Sequence, residues 1–139
     1  MNFRILALFL PLLLVQCKPS PELSANERTQ RLLVNKNWDM TIVTVDGIAR
    51  SIYPGLSLNF QQSVYTSVNG LDVFPASGTW RFSGSDGKLI IRDDGLEITI
   101  ESIDDGQLIL SFYWADSNFV GGRKSELAGS HRLTFRKRL

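Results

Sequence analysis

The sequence predicts an all-β domain: an eight-stranded antiparallel up-and-down barrel with one short N-terminal helix. Three observations carry that prediction. From Trp38 onward, eight runs rich in β-branched and aromatic residues follow one another at intervals of about ten residues. Asp-Gly recurs between such runs, at Asp46-Gly47, Asp86-Gly87, Asp94-Gly95 and Asp105-Gly106, where glycine supplies the positive φ of tight hairpins. Apolar and polar residues then alternate with a period of two, leaving each strand one face for a core. Closure into a barrel is preferred over an open sheet because two bare edges invite aggregation; a two-sheet sandwich fits the same pattern.

The chain begins with Arg4, an apolar run from Ile5 to Val15, and a short region ending in Cys17, the three-part layout of a secretory signal. Eleven apolar residues rising about 1.5 Å each do not cross a bilayer core of about 30 Å, so a permanent helical span is not expected. Leu14, Val15, Gln16 and Cys17 resemble the lipobox of bacterial lipoproteins, although Gln16 stands where that pattern usually has Gly, Ala or Ser. The resemblance implies cleavage after residue 16. It also implies acylation of Cys17 with fatty chains such as palmitate, and attachment to the cell envelope. Lys18 after the cysteine is similar to outer-membrane lipoproteins. Two or more chains, each buried methylene contributing about 0.8 kcal/mol, hold a protein at a membrane stably. The other readings are an ordinary signal peptide with a free thiol, there being no second cysteine to pair, or an apolar N-terminus that packs on the fold.

Residues 17–23 read as a lipidated cysteine and a tether carrying two prolines, and residues 24–139 as the domain. Ser24-Ala-Asn-Glu27 is a capping-box pattern that predicts a helix from about Ala25 to Val34. The strands are expected at 38–45, 56–60, 64–68, 79–83, 88–92, 96–102, 107–114 and 131–137. With Asp94-Gly95 as a two-residue loop, Ile91 faces Ile98, Leu89 faces Ile100, and the opposite charges Arg92–Glu97 and Lys88–Glu101 pair outside. A three-residue loop at Asp104-Asp105-Gly106 sets Ile100 against Leu110, Ile98 against Phe112 and Leu96 against Trp114. A four-residue turn at Gly84 to Gly87 sets Phe82 against Leu89 and Trp80 against Ile91. Ile90, Ile109 and Tyr113 then point outward, apolar where alternation predicts polar residues.

Between Leu32 and Arg138 the chain resembles a bacterial lipocalin-like lipoprotein domain. A first strand opens on Trp38, Gly78-Thr79-Trp80 starts a central strand, ITIESIDDGQLILSF alternates, and LTFRKR closes the chain. In that family a tryptophan of a Gly-X-Trp motif closes one end of the barrel under a basic residue of the last strand. The resemblance implies that role for Trp38, with Arg136 or Arg138 as the cation. Lys36 replaces the glycine. It also implies a non-enzymatic protein that binds or shields a small, mainly apolar molecule.

The inward aromatic set is Trp80, Phe82, Phe112, Trp114 and Phe135, which either lines a ligand cavity or fills the interior; an eight-stranded barrel is wide enough for one or the other. His131, the single histidine, points inward by parity with Leu133 and Phe135, as a hydrogen-bonding group for a ligand or a half-exposed strand-end residue. The linker from Ala115 to Ser130, with Phe119 beside Gly121-Gly122, reads as a lid or a plain crossover, and Ser51 to Gly55 with its Tyr-Pro is equally open. No calcium-loop spacing, metal-ligand set or nucleophile motif is present, so neither cofactor nor metal is expected. A net charge of +1, with Glu97, Glu101, Asp104 and Asp105 offsetting the basic ending RLTFRKRL, argues for a solvated strand face rather than a nucleic-acid surface. A filled barrel that contacts an envelope protein through its loops or outward apolar residues is the alternative function.

Overall fold

The computed structural model describes residues 18–115 and 127–139; Cys17 with its leader and the Phe119 to Gly122 segment lie outside the described residues. Helix α1 (Ala25–Leu33) starts where the sequence places it, because Ser24 and Glu27 satisfy one another's backbone donors. The Glu27 amide donates to Ser24 Oγ at 3.2 Å and the Ser24 amide donates to Glu27 Oε2 at 2.8 Å. Its last residue, Leu33, is buried.

Nine strands follow among the described residues: β1 (Lys36–Val45), β2 (Ile48–Ala49), β3 (Ser57–Phe60), β4 (Val64–Val68), β5 (Ser77–Ser83), β6 (Leu89–Arg92), β7 (Glu97–Ile103), β8 (Gln107–Trp114) and β9 (Gly129–Lys137). Eight of them form a closed antiparallel barrel in chain order, β1 pairing with β3 on one side and with β9 on the other. The ninth, β2, is a two-residue hairpin back onto the end of β1. Its Asp46-Gly47 turn has positive φ at both positions, 51° and 78°. This is the predicted barrel with one added spur.

The α1 end is closed by local contacts. Val34 bridges to Phe60, Asn35 N–H donates to Phe60 O at 2.8 Å, and Asn26 Nδ2 donates to Gly84 O at 3.0 Å across the mouth. At the other end, the segment between β2 and β3 inserts Tyr53 and Leu56, and the segment between β4 and β5 inserts Val73 and Phe74, all buried. The α1 end is thus closed by these contacts, and the opposite end is plugged by the chain's own apolar groups.

Pairing in the β7–β8 hairpin agrees with expectation where the core is: Ile100 faces Leu110 and Thr99 faces Ser111, so Ile98 and Phe112 share the inner face, and both are buried. A bulge between Ile100 and Ser102 absorbs one residue nearer the turn. Strand β6 is turned over relative to expectation. Ile90 faces Ile98, Ile91 faces Glu97 and Trp80 faces Arg92. Ile90 and Arg92 consequently point inward and are buried, while Leu89 and Ile91 are half-buried.

Two loop lengths explain the inversion. The β6–β7 connection is the three-residue loop Asp93-Asp94-Gly95, with Gly95 at φ 85° accepting the left-handed position and the Leu96 amide donating to Asp94 Oδ1 at 3.1 Å. The β5–β6 turn is one residue longer than expected, because Ser83 rather than Phe82 faces Leu89. Gly87 in that turn lies under α1: a Cβ there would come within 2.6 Å of Ala25 O. The two one-residue shifts cancel, so β5 and β7 keep their expected faces and only β6 is inverted. The expected pairs Arg92–Glu97 and Lys88–Glu101 do not form; Glu101 instead accepts from Arg132 Nε at 2.7 Å.

Candidate functional site

The six expected interior residues separate into clusters. Trp80 donates from Nε1 to Gln61 O at 3.0 Å, with Phe60 and Phe82 edge-on to it at 5.7 and 5.3 Å. Phe112 stacks on His131 at 4.9 Å between ring centroids and meets Phe74 edge-on at 5.5 Å, forming a second cluster with Tyr53. Phe135 is fully buried and Trp114 half-buried against the core. Trp38 is also fully buried, its Nε1 donating to Leu33 O at 3.0 Å. The cation over its ring is Lys36, with Nζ 5.8 Å from the centroid. Arg136 is exposed, and Arg138 makes a two-pronged pair with Asp39 at 2.6 and 2.8 Å. Lys36, noted in the sequence only as a departure from a motif, thus occupies the cation's place.

Arg92 joins the two aromatic clusters. Its side chain is 2% exposed, and its guanidinium lies 5.7 Å from the Tyr65 ring and 5.5 Å from the Phe74 ring. Nη1 donates to Val73 O at 2.5 Å, while Nε and Nη2 form a fork onto the Asp94 carboxylate. That fork holds the Asp94 carboxyl below its ordinary range, the Arg92 hydrogen bond being the largest cause. Sequence reasoning missed Arg92 because the two-residue loop placed it outside; Tyr53 and Phe74 carried no strand signal at all.

His131 has one polar partner at each ring nitrogen. Nε2 lies 2.6 Å from Leu127 O, a carbonyl that only accepts, so Nε2 carries the proton and Nδ1 accepts from Tyr53 Oη at 3.3 Å. Both of its ring nitrogens are therefore engaged within the chain. Burial lowers the His131 pKa from its ordinary 6.5, against smaller opposing effects of the Leu127 carbonyl and the Asp46 carboxylate. Burial likewise pushes the Tyr53 hydroxyl up. Below about pH 6.5 the unfolded chain takes up the histidine proton before the folded one, so this contribution to stability is complete above pH 6.5 and declines below it. Urea midpoints measured at pH 8, 6.5 and 5.5 will fall with acid in the parent more steeply than in His131→Gln; parallel profiles contradict this assignment.

The barrel wall opens beside this cluster. Pairing between β7 and β8 stops at Thr99–Ser111, although both strands run further. A cleft of about 530 Å³ lies there, bordered by Leu89, Leu96 and Glu97 on one side and by Phe112, Tyr113 and His131 on the other. Tyr113 is 65% exposed, and Ile109, the other expected outward residue of β8, is half-buried. Ile90 faces the core instead. Two of the six expected ligand residues, Phe112 and His131, thus border one cleft, and Trp80, Phe82, Trp114 and Phe135 do not. Among the described residues, no group of three or more His, Cys, Asp or Glu side chains is gathered in metal-ligand fashion.

Comparison of the chain with protein-family models, with curated proteins and with solved structures found no match in any of the three.

Proposed function

We propose that this chain is a non-enzymatic, lipid-anchored lipocalin-like module of the bacterial cell envelope that binds or shields a small, mainly apolar molecule. The reading is supported by the closed barrel with one short helix and by the lipobox-like stretch ending at Cys17. The single observation that carries it is the parted wall between β7 and β8, where the cleft of about 530 Å³ reaches the Phe112–His131 stack. Pockets for small molecules combine apolar lining with a few placed polar groups, and this cleft has both. Because Trp38, Phe135, Leu58 and Leu110 fill the central interior, the ligand sits at the wall rather than along the axis.

The neutral fluorophore N-phenylnaphthylamine is expected to bind one per chain with a blue-shifted emission, and Phe112→Ala together with Leu89→Ser to weaken it. In cells, Cys17→Ser is expected to move the protein from the membrane fraction to the soluble fraction and to abolish labelling by a palmitate analogue. Absence of probe binding by folded protein overturns the ligand reading, and unchanged fractionation overturns the anchor.

A second reading is favoured by the packed interior and the exposed Tyr113: a filled barrel that meets a protein partner through this face. Photocrosslinking from position 113 in cells separates the two. Repeated capture of one envelope protein, with no probe bound in solution, supports the partner reading.

A further inference from the structure

The inversion of β6 leaves a carboxylate exposed beside the cleft. In the sequence Glu97 stands opposite Arg92, and that pair would neutralise it. In the fold Arg92 turns inward onto Asp94, Val73 O and the Tyr65 and Phe74 rings, and Ile91 takes the place opposite Glu97. The Glu97 carboxylate has no hydrogen-bond or ion-pair partner among the described residues and borders the cleft. Among the described residues, the other ionisable groups of the lining are Tyr113 and His131, of which His131 is engaged with Tyr53 and Leu127. Tyr113 continues the Thr99–Ser111 register opposite Glu97, beyond the last paired couple. The same inversion gives Leu89 to this outer cleft, whose lining also includes Leu96.

We infer that the cleft takes an amphipathic cation: an ammonium head held by the Glu97 carboxylate and the exposed Tyr113 ring, and an apolar body lying against Leu89 and Leu96. Carboxylate and aromatic face both attract an ammonium ion, and neither attracts an anion. The inference rests on the ligand-binding reading above and specifies the chemistry of that ligand.

Three probes of one tail length test it: decyltrimethylammonium, decyl maltoside and decyl sulfate, each below its micellar concentration, titrated by calorimetry and by displacement of N-phenylnaphthylamine. The expected order is ammonium, then maltoside, then sulfate, with Glu97→Gln weakening the ammonium probe about fivefold, the upper range for an exposed ion pair, and leaving the maltoside unchanged. Tyr113→Ala is expected to weaken the ammonium probe more than the maltoside. Raising salt is expected to weaken ammonium binding in the parent but not in Glu97→Gln. Equal affinity for all three heads, or an ammonium affinity indifferent to Glu97→Gln, overturns the inference and leaves the ligand reading standing. Failure of every probe to bind overturns both.

Discussion

Trp38→Ala is expected to destabilise the fold by about 3–5 kcal/mol, the range for removing a large aromatic from a core, and to lower Tm by roughly 10–20 °C. The reason lies in what the indole joins. Its ring is fully buried at the start of β1, its Nε1 donates to Leu33 O at the end of α1, and Lys36 covers its face. Losing it removes the side chain that ties the helix to the first strand, leaves a cavity, and strands a carbonyl. Trp38→Phe separates these effects: most of the ring volume remains but the donor is gone, so the expected cost is about 1–3 kcal/mol, that of leaving one buried acceptor unsatisfied. Chemical denaturation of the three proteins checks the order. A Trp38→Ala variant within about 1 kcal/mol of the parent would mean that α1 is held by its other contacts, chiefly Asn26 on Gly84.

How far such features could be read in the sequence depended on whether the signal was local. The capping box at Ser24 and Glu27, the Asp46-Gly47 hairpin and the shared inner face of Ile98 and Phe112 were legible because each is set by residues within a few positions, or by strict alternation. The face of β6 was not. Its run KLIIR offers apolar residues to both sides, so alternation cannot choose, and loop length decides. Asp93-Asp94-Gly95 satisfies a three-residue loop as well as Asp94-Gly95 satisfies a two-residue one, and Gly87 answers to a helix some sixty residues earlier in the chain. Tyr53 lay in a segment the sequence left open between lid and crossover. It adopts φ 58°, costly for a tyrosine, and its full burial in the core, the ring 5.9 Å from His131, holds it there. His131 was placed on the correct face by parity, but its two partners come from Tyr53 and Leu127, which no pattern around position 131 announces.

Arg92 supplies the second large effect and distinguishes packing from charge. Arg92→Ala is expected to cost about 2–4 kcal/mol, because it removes the contact to two aromatic rings, opens a cavity between the clusters, and leaves Val73 O without its donor. Arg92→Met keeps much of the side-chain stem between Tyr65 and Phe74. Its partner Asp94 is 43% exposed and rehydrates when the guanidinium is gone, so the ion pair itself contributes little and Arg92→Met is expected to stay within about 1–2 kcal/mol of the parent. Acid titration then tests the electrostatic part separately. Since Arg92 holds the Asp94 carboxyl below its ordinary 3.8, the pair's contribution is complete above about pH 3.8 and is lost as pH falls toward the lowered value; in Arg92→Met that portion of the acid sensitivity disappears even where neutral-pH stability is kept. Equal losses in the alanine and methionine variants would place the energy in the charge. The unequal losses expected here place it in the stem and rings, with the guanidinium fixing Val73 and hence the Phe74 plug, so that amide exchange at Val73 and Phe74 accelerates in both variants.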